Sequence, residues 1–143
     1  MLRNIPEIIS PDLMKAIMEM GHGDEICFTD VNFPAQSMGQ RVIRADGHDI
    51  AELMEAILEF MPLDSFVAAP CILMDAPKGA APKVWDVYED VIKRKDFANA
   101  FTKFEFCERF AFYERAKKCF AIVATSEHEG YSNIILKKGV IFK

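Results

Sequence analysis

In the stretch MGHGDEICFTDVNFPAQSMG, Met20 to Gly39, a histidine stands between two glycines (Gly21-His22-Gly23). A short unbroken apolar run follows at Ile26-Cys27-Phe28, then Asp30 and a Phe33-Pro34 turn. An apolar run without alternation is the pattern of a strand buried on both faces, which points to a sheet covered by helices on each side. A carboxylate just past such a strand sits where α/β proteins place ligand contacts. A histidine in a glycine turn is free of helical packing and open to solvent, and an imidazole can both give and take protons near neutral pH. The segment therefore suggests proton transfer on a small polar molecule.

Outward from this stretch, helical and strand patterns alternate. Ser10 followed by Pro11 is a helix start, with the hydroxyl at the N-cap and proline in the first turn. Leu13, Ile17 and Met20 then recur at helical spacing, and Gly21 is placed to end that helix in a left-handed conformation. Residues 40–44 read as a second, shorter strand, with Asp46-Gly47 as a turn. Ile50, Leu53, Met54, Ile57 and Leu58 keep a 3.6-residue period, so an amphipathic helix ends near Pro62. Residues 66–74 read as a strand in which Pro70 argues for an edge position or a bulge. DAPKGAAP, residues 75–82, is a loop, and a helix from Val84 to about Lys95 follows. Residues 101–106 read as strand and 109–118 as helix. CFAIVAT, residues 119–125, is the clearest buried strand in the chain. SEHEGY, residues 126–131, is a polar loop, a last strand begins at 133–136, and Lys137-Lys138-Gly139 reads as a turn. This alternation predicts an α/β fold: a single three-layer domain over residues 1–143, with a mixed, mostly parallel sheet flanked by helices.

Composition narrows the function classes. With 143 residues, 51% of them hydrophobic and 27% charged, the chain can bury one sizeable core. The net charge is −5 and no basic face is evident, so no nucleic-acid partner is expected. No apolar run reaches the ~18 residues of a membrane span, so no membrane partner is expected, and the N-terminus lacks the apolar core of a signal peptide. Cys27, Cys71, Cys107 and Cys119 form no CxxC pair, which reads as reduced, mostly buried thiols in a cytoplasmic protein. No GxGxxG or GxxxxGK[ST] signals dinucleotide or phosphate binding. No His/Cys/Asp/Glu cluster has metal-ligand spacing, so neither metal nor cofactor is expected.

The candidate site residues follow from position and chemistry. His22 is the proton-transfer candidate, with Asp24 two residues on as a group that could orient its ring. Asp30 can accept hydrogen bonds from a ligand's hydroxyls. Arg109 can hold a ring or hydroxyl oxygen through its fixed fork of donors. Tyr131, Ser132 and Asn133 place three hydrogen-bonding side chains in a row, which suits a sugar. His48 and His128 read as structural. One tension is geometric: eight extended residues span up to ~26 Å at ~3.3 Å each. His22 and Asp30 therefore share a site only if the chain folds back at His22, or if the site is shared between subunits. Both alternatives stand at this point.

The motifs EMGHGDEI, DxxFPAxSMG from Asp30 to Gly39, VIRADG at 42–47, RFAFYERA at 109–116 and YxNIxLKKGV at 131–140 run nearly end to end. On these the chain resembles the ribose pyranase and fucose mutarotase family. The resemblance implies a ribose pyranase-like fold and cofactor-free interconversion of the α and β anomers of a free monosaccharide. It puts the proton-donating histidine on His22 and the substrate contacts on Asp30, Arg109 and Tyr131-Ser132-Asn133. It also implies a homo-oligomer, often a ring-shaped decamer, with sites near subunit contacts. RFAFYERA leans toward L-fucose as the substrate. Two alternatives are ribose-type pyran–furan interconversion and a non-catalytic sugar-binding accessory. The chain departs from the family at Asn32 and Gln36, where fucose mutarotases carry histidines, and at Ser132, where glycine is usual. These departures bear on sugar preference more than on the reaction.

Overall fold

The strands alternate between two cores, and that alternation builds the molecule. The computed structural model describes residues 1–143. Its elements are α1 (Pro11–Glu19), β1 (Glu25–Thr29), α2 (Ala35–Met38), β2 (Val42–Ala45), α3 (Ile50–Ile57), β3 (Cys71–Met74), α4 (Val84–Lys95), β4 (Glu105–Cys107), α5 (Arg109–Lys118), β5 (Ala121–Thr125) and β6 (Ile134–Lys137). One six-stranded sheet has the order β2-β5-β1-β6-β3-β4. Only β6 runs antiparallel, to both of its neighbours β1 and β3. The sheet is therefore mixed and mostly parallel.

Successive side chains of a strand point to opposite faces, so each strand feeds both layers. Ile26 and Phe28 of β1, Ala121 and Val123 of β5, Ile134 and Leu136 of β6, and Cys71 and Leu73 of β3 join the larger core. Cys27, Ile122, Ala124, Ile135, Ile72 and Met74 join the smaller one. The larger core is closed by α1, α3 and α4 through Leu13, Ile17, Leu53, Ile57, Tyr88 and Ile92. The smaller is closed by α2 and α5 through Ala35, Phe112 and Ala116. The three layers expected from the sequence are thus α1/α3/α4, sheet, and α2/α5.

Several local expectations shift. Helix α1 begins as expected, with Ser10 accepting from the Leu13 N–H at 3.2 Å. It ends on extended Met20, however, and the left-handed residue is Gly23 (φ 86°), not Gly21. Lys138 explains this. Its ammonium donates to the carbonyls of Ile17 (2.8 Å) and Met20, satisfying the end of α1 where positive charge is favoured. Its backbone accepts from Gly23 (2.8 Å) and donates to Asp24 (2.9 Å). Lys137-Lys138-Gly139 is thus no free turn: Lys138 forms a β-bridge with Leu63. The strand read over 66–74 shrinks to Cys71–Met74. This strand lies inside the sheet, between β6 and β4, and Pro70 stays outside it while its carbonyl accepts from Lys137 at 2.8 Å. Likewise 101–106 gives only the three-residue edge strand β4. The short helix α2 carries no pattern long enough to read in sequence.

Gly139 is pinned by space. A Cβ there would lie 2.4 Å from the Leu63 carbonyl oxygen and 2.8 Å from the Asp64 Cα, both backbone atoms with little freedom to yield. Gly139→Ala is expected to lower stability by about 2 kcal/mol, in the range of overpacking substitutions. Urea denaturation measures it.

Candidate functional site

The sheet has two ends, and the sequence-predicted residues divide between them. Parallel strands β1, β2, β3, β4 and β5 finish at one end, where β6 begins. Phe28 pairs with Ile134 there, so Asp30 and Asn133 extend side by side beyond the pairing. They hold one another reciprocally. The Asp30 N–H donates to Asn133 Oδ1 at 2.8 Å, and Asn133 Nδ2 donates to Asp30 Oδ2 at 3.1 Å. The Asn32 N–H donates to Asp30 Oδ1 at 2.9 Å. Burial pushes the Asp30 carboxyl above its ordinary value, and the hydrogen bonds from Asn32 and Asn133 oppose this.

Tyr131 and Ser132 lead into Asn133. Tyr131 holds a left-handed backbone (φ 60°), uncommon for a bulky residue. Ser132 is wholly buried, and its hydroxyl has no partner. Arg109 opens α5 at the same end, where its Nε donates to the Tyr113 hydroxyl at 3.0 Å. The Tyr113 ring meets Phe33 edge-on at 5.4 Å, and the Phe33 N–H reaches back to the Asp30 carbonyl at 3.2 Å. Asp30, Arg109 and Tyr131-Ser132-Asn133 therefore gather at one end, around an aromatic wall of Phe33 and Tyr113.

His22 lies at the other end. Its Nε2–H donates to Asp64 Oδ1 at 3.1 Å. The His22 side chain is 45% exposed and that of Asp64 only 3%. The Phe66 N–H also donates to Asp64 Oδ1 (3.0 Å), and the exposed Phe66 ring packs on the imidazole at 5.4 Å. With Nε2 committed to the carboxylate, Nδ1 is the nitrogen free to exchange a proton with a ligand. Asp24 does not orient the ring, because its Oδ2 accepts from the Gly21 N–H at 2.7 Å and shapes the turn instead. The buried orienting carboxylate is Asp64, which the sequence reading missed. It lies 42 positions from His22 and outside any periodic pattern. Tyr113 was missed for a similar reason, lying inside a helix whose pattern is mixed.

The five residues of β1 separate the two ends, ~16 Å of extended chain at ~3.3 Å per residue. Asp64 sits beside Lys137, which pairs with Glu25 at the start of β1, whereas Asn133 lies past its finish. The chain does not fold back at His22, so a single copy does not bring His22 to Asp30. His48 follows β2 at the Asp30 end, just before α3, where its exposed ring pairs with Glu52 at 3.1 Å.

The raised Asp30 value gives a pH prediction. Between its ordinary 3.8 and the raised value, the folded chain binds more protons than the unfolded one. Asp30's contribution to stability is therefore fully present below the ordinary value and is lost as pH rises through the folded one. Asp30→Asn removes this titration. Its stability relative to the parent chain is expected to be more favourable at pH 7 than at pH 3.5, as measured by urea denaturation at both.

The geometry has counterparts among known proteins. The RbsD / FucU transport protein family matches residues 3–141. The chain is 46% identical over 148 residues to a fucose mutarotase of Homo sapiens, covering 98% of this chain and 94% of that protein. It is 47% identical to a fucose mutarotase of Mus musculus, covering 98% and 95%. In three dimensions it is similar to a fucose mutarotase from Streptococcus pneumoniae solved in complex with L-fucose. That likeness has a TM-score of 0.91 at 46% identity and covers 99% of this chain and all of the other.

Proposed function

The chain belongs to the RbsD / FucU transport protein family, and from that membership we propose that it is a fucose mutarotase, an isomerase interconverting the α and β anomers of L-fucose. The observation that carries the catalytic reading is the His22–Asp64 pair: a half-exposed imidazole held in one tautomer by a buried carboxylate. A non-catalytic binder needs no such group.

The chemistry asks little more. One group takes the proton of the anomeric hydroxyl while another protonates the ring oxygen, and the C1–O5 bond breaks. The open aldehyde turns about C1–C2, and the C5 hydroxyl closes on its other face. His22 transfers the proton at the ring oxygen or the anomeric hydroxyl, through Nδ1. Asp64 stabilises the imidazolium that forms when Nδ1 accepts a proton. Such general acid–base groups contribute roughly 10²–10⁴-fold. Asp30 and Asn133 hold hydroxyls with the lone pairs and protons left over from their mutual pairing, and Tyr131 and Arg109 hold others. Ser132 contributes its backbone N–H, which donates to no acceptor within the chain, rather than its buried hydroxyl. Phe33 and Tyr113 offer an apolar wall suited to the C6 methyl of a 6-deoxy sugar, a group ribose lacks.

Because His22 and Asp30 lie at opposite ends of one sheet, the working site joins the His22 end of one subunit to the Asp30 end of the next. Such a head-to-tail contact closes into rings. The His22 end exposes Phe66, Ile141 and Phe142, and the Asp30 end exposes Phe106 and Phe110. Both ends thus offer apolar surface for burial between copies. A homo-oligomer, decameric in the family manner, and a cytoplasmic location with four free thiols complete the proposal.

Saturation-transfer NMR on L-fucose and D-ribose, with purified protein in metal-free buffer, tests it. Accelerated exchange on fucose is expected. Acceleration on ribose alone moves the assignment to the pyranase reaction, and none on either sugar leaves a binder.

A further inference from the structure

The tripeptide Tyr131-Ser132-Asn133 does not hold its own shape. Tyr131 sits in left-handed backbone, a state that persists only when the surroundings over-determine it. Those surroundings are the first turns of α4. Trp85 Nε1 donates to the Tyr131 carbonyl at 3.2 Å, and the Tyr88 hydroxyl donates to the Ser132 carbonyl at 3.0 Å. Trp85 and Tyr88 are three residues apart, so they share one helix face and reach successive carbonyls. From the loop side, the Glu129 carboxylate accepts from the Lys83 N–H (2.6 Å) and the Val84 N–H (3.2 Å). These are donors a helix start leaves unpaired, at the end where an anion is favoured. Tyr88 is fully buried, so its hydroxyl has been taken out of water for this contact.

We infer that α4 acts as a clamp on the sugar-contacting loop, and that Trp85, Tyr88 and Glu129 are positioning residues for substrate binding. They touch no sugar. Three contacts fix positions 129, 131 and 132, which leaves the Tyr131 ring and the Asn133 amide with one placement relative to Asp30. The inference rests on the mutarotase reading for its substrate. The clamp itself is a property of the chain and is measurable without sugar.

The experiment compares Tyr88→Phe, Trp85→Phe, Tyr131→Gly and the pair Tyr88→Phe with Tyr131→Gly in the full-length protein. Tyr88→Phe deletes one oxygen and keeps the ring in the core. Trp85→Phe is the second probe should Tyr88→Phe fail to fold. The KM for L-fucose exchange is expected to rise about fivefold in either single clamp variant, with kcat within about twofold, the pattern of lost substrate binding. Amide hydrogen exchange over residues 127–133 is expected to quicken about tenfold while β5 keeps its protection, the pattern of local opening. Tyr131→Gly removes the ring and relieves the backbone, so adding Tyr88→Phe to it should raise KM by less than about twofold, the part that acts through Asn133. A merely structural role for Tyr88 would not give that non-additivity. The inference is overturned if KM is unchanged in the single variants, if loop protection is unchanged, or if Tyr88→Phe raises KM equally in the Tyr131→Gly background. If the parent chain leaves fucose exchange at the buffer rate, the mutarotase reading fails. The clamp is then judged on loop protection alone: quickened exchange sustains it and unchanged exchange refutes it.

Discussion

His22→Ala is expected to slow anomeric exchange of L-fucose by at least about 100-fold, the lower end of what general acid–base catalysis contributes. The sugar's dissociation constant should stay within a few-fold, because the proposed hydroxyl contacts lie at the other end of the sheet. Folding should be little affected, since the imidazole is half exposed and its removal opens no core cavity. It does leave Asp64 Oδ1 with the Phe66 N–H as its remaining donor. Asp64 itself is buried, but the imidazole it faces is 45% exposed, so water can enter the vacated place and donate to the carboxylate. Asp64→Asn offers a graded companion. It keeps the side chain's shape but removes the charge that favours an imidazolium, so a loss of about tenfold is expected, smaller than for His22 itself. Saturation-transfer NMR reads the rate, and titration of sugar resonances reads binding. Undiminished exchange in His22→Ala would remove it from the chemistry.

The second large effect is a rescue. His22→Ala and Asp30→Asn should each be nearly inactive alone. Chains of the two kinds, co-expressed or refolded together in equal amounts, should recover about a quarter of the parent activity. In a head-to-tail ring with random mixing, about one site in four pairs an intact His22 end with an intact Asp30 end. The basis is the register of the sheet. Glu25 pairs with Lys137 and Phe28 with Ile134, so β1 and β6 run the full distance between the two groups with no fold-back. Asp30→Asn suits the test because its one side-chain oxygen still accepts from the Asn32 N–H and the Asp30 backbone N–H still donates to Asn133 Oδ1, so only the bond from Asn133 Nδ2 is lost. If the site lay within one chain, every mixed assembly would hold only inactive sites. A mixture as dead as its components would therefore eliminate the shared site.

Both results depend on features of unequal visibility in the sequence. The unbroken run at 26–28 and the run at 121–125 read directly as strands buried on both faces, and they pair side by side in the sheet. The 3.6-residue period over 50–58 marks α3, and Ser10-Pro11 marks the start of α1. The misreadings fall where local pattern and tertiary role part. Residues 66–70 are apolar enough to look like strand, yet they form an irregular segment whose first residue, Phe66, caps the Asp64 carboxylate and packs on His22. Gly21 looks like a helix terminator, yet the Lys138 ammonium ends α1 from 121 positions away. Pro70 suggested an edge strand, yet it only precedes an interior one.

By itself, the sequence determined the layered α/β architecture and the family, and it singled out His22, Asp30, Arg109 and Tyr131 to Asn133 as the residues to propose for the site. Periodicity records which faces are buried, and short motifs record which side chains are chemically available. Tertiary structure alone decided which of these residues meet. Antiparallel insertion of β6 between β1 and β3 set Asn133 beside Asp30 and carried Lys138 to the other end, onto the Gly23-Asp24 backbone beside His22. The same topology gave His22 its carboxylate from Asp64 and gave the Tyr131 loop its hold on α4. Partners tens of residues apart are chosen by strand order and register, and neither leaves a trace in local spacing.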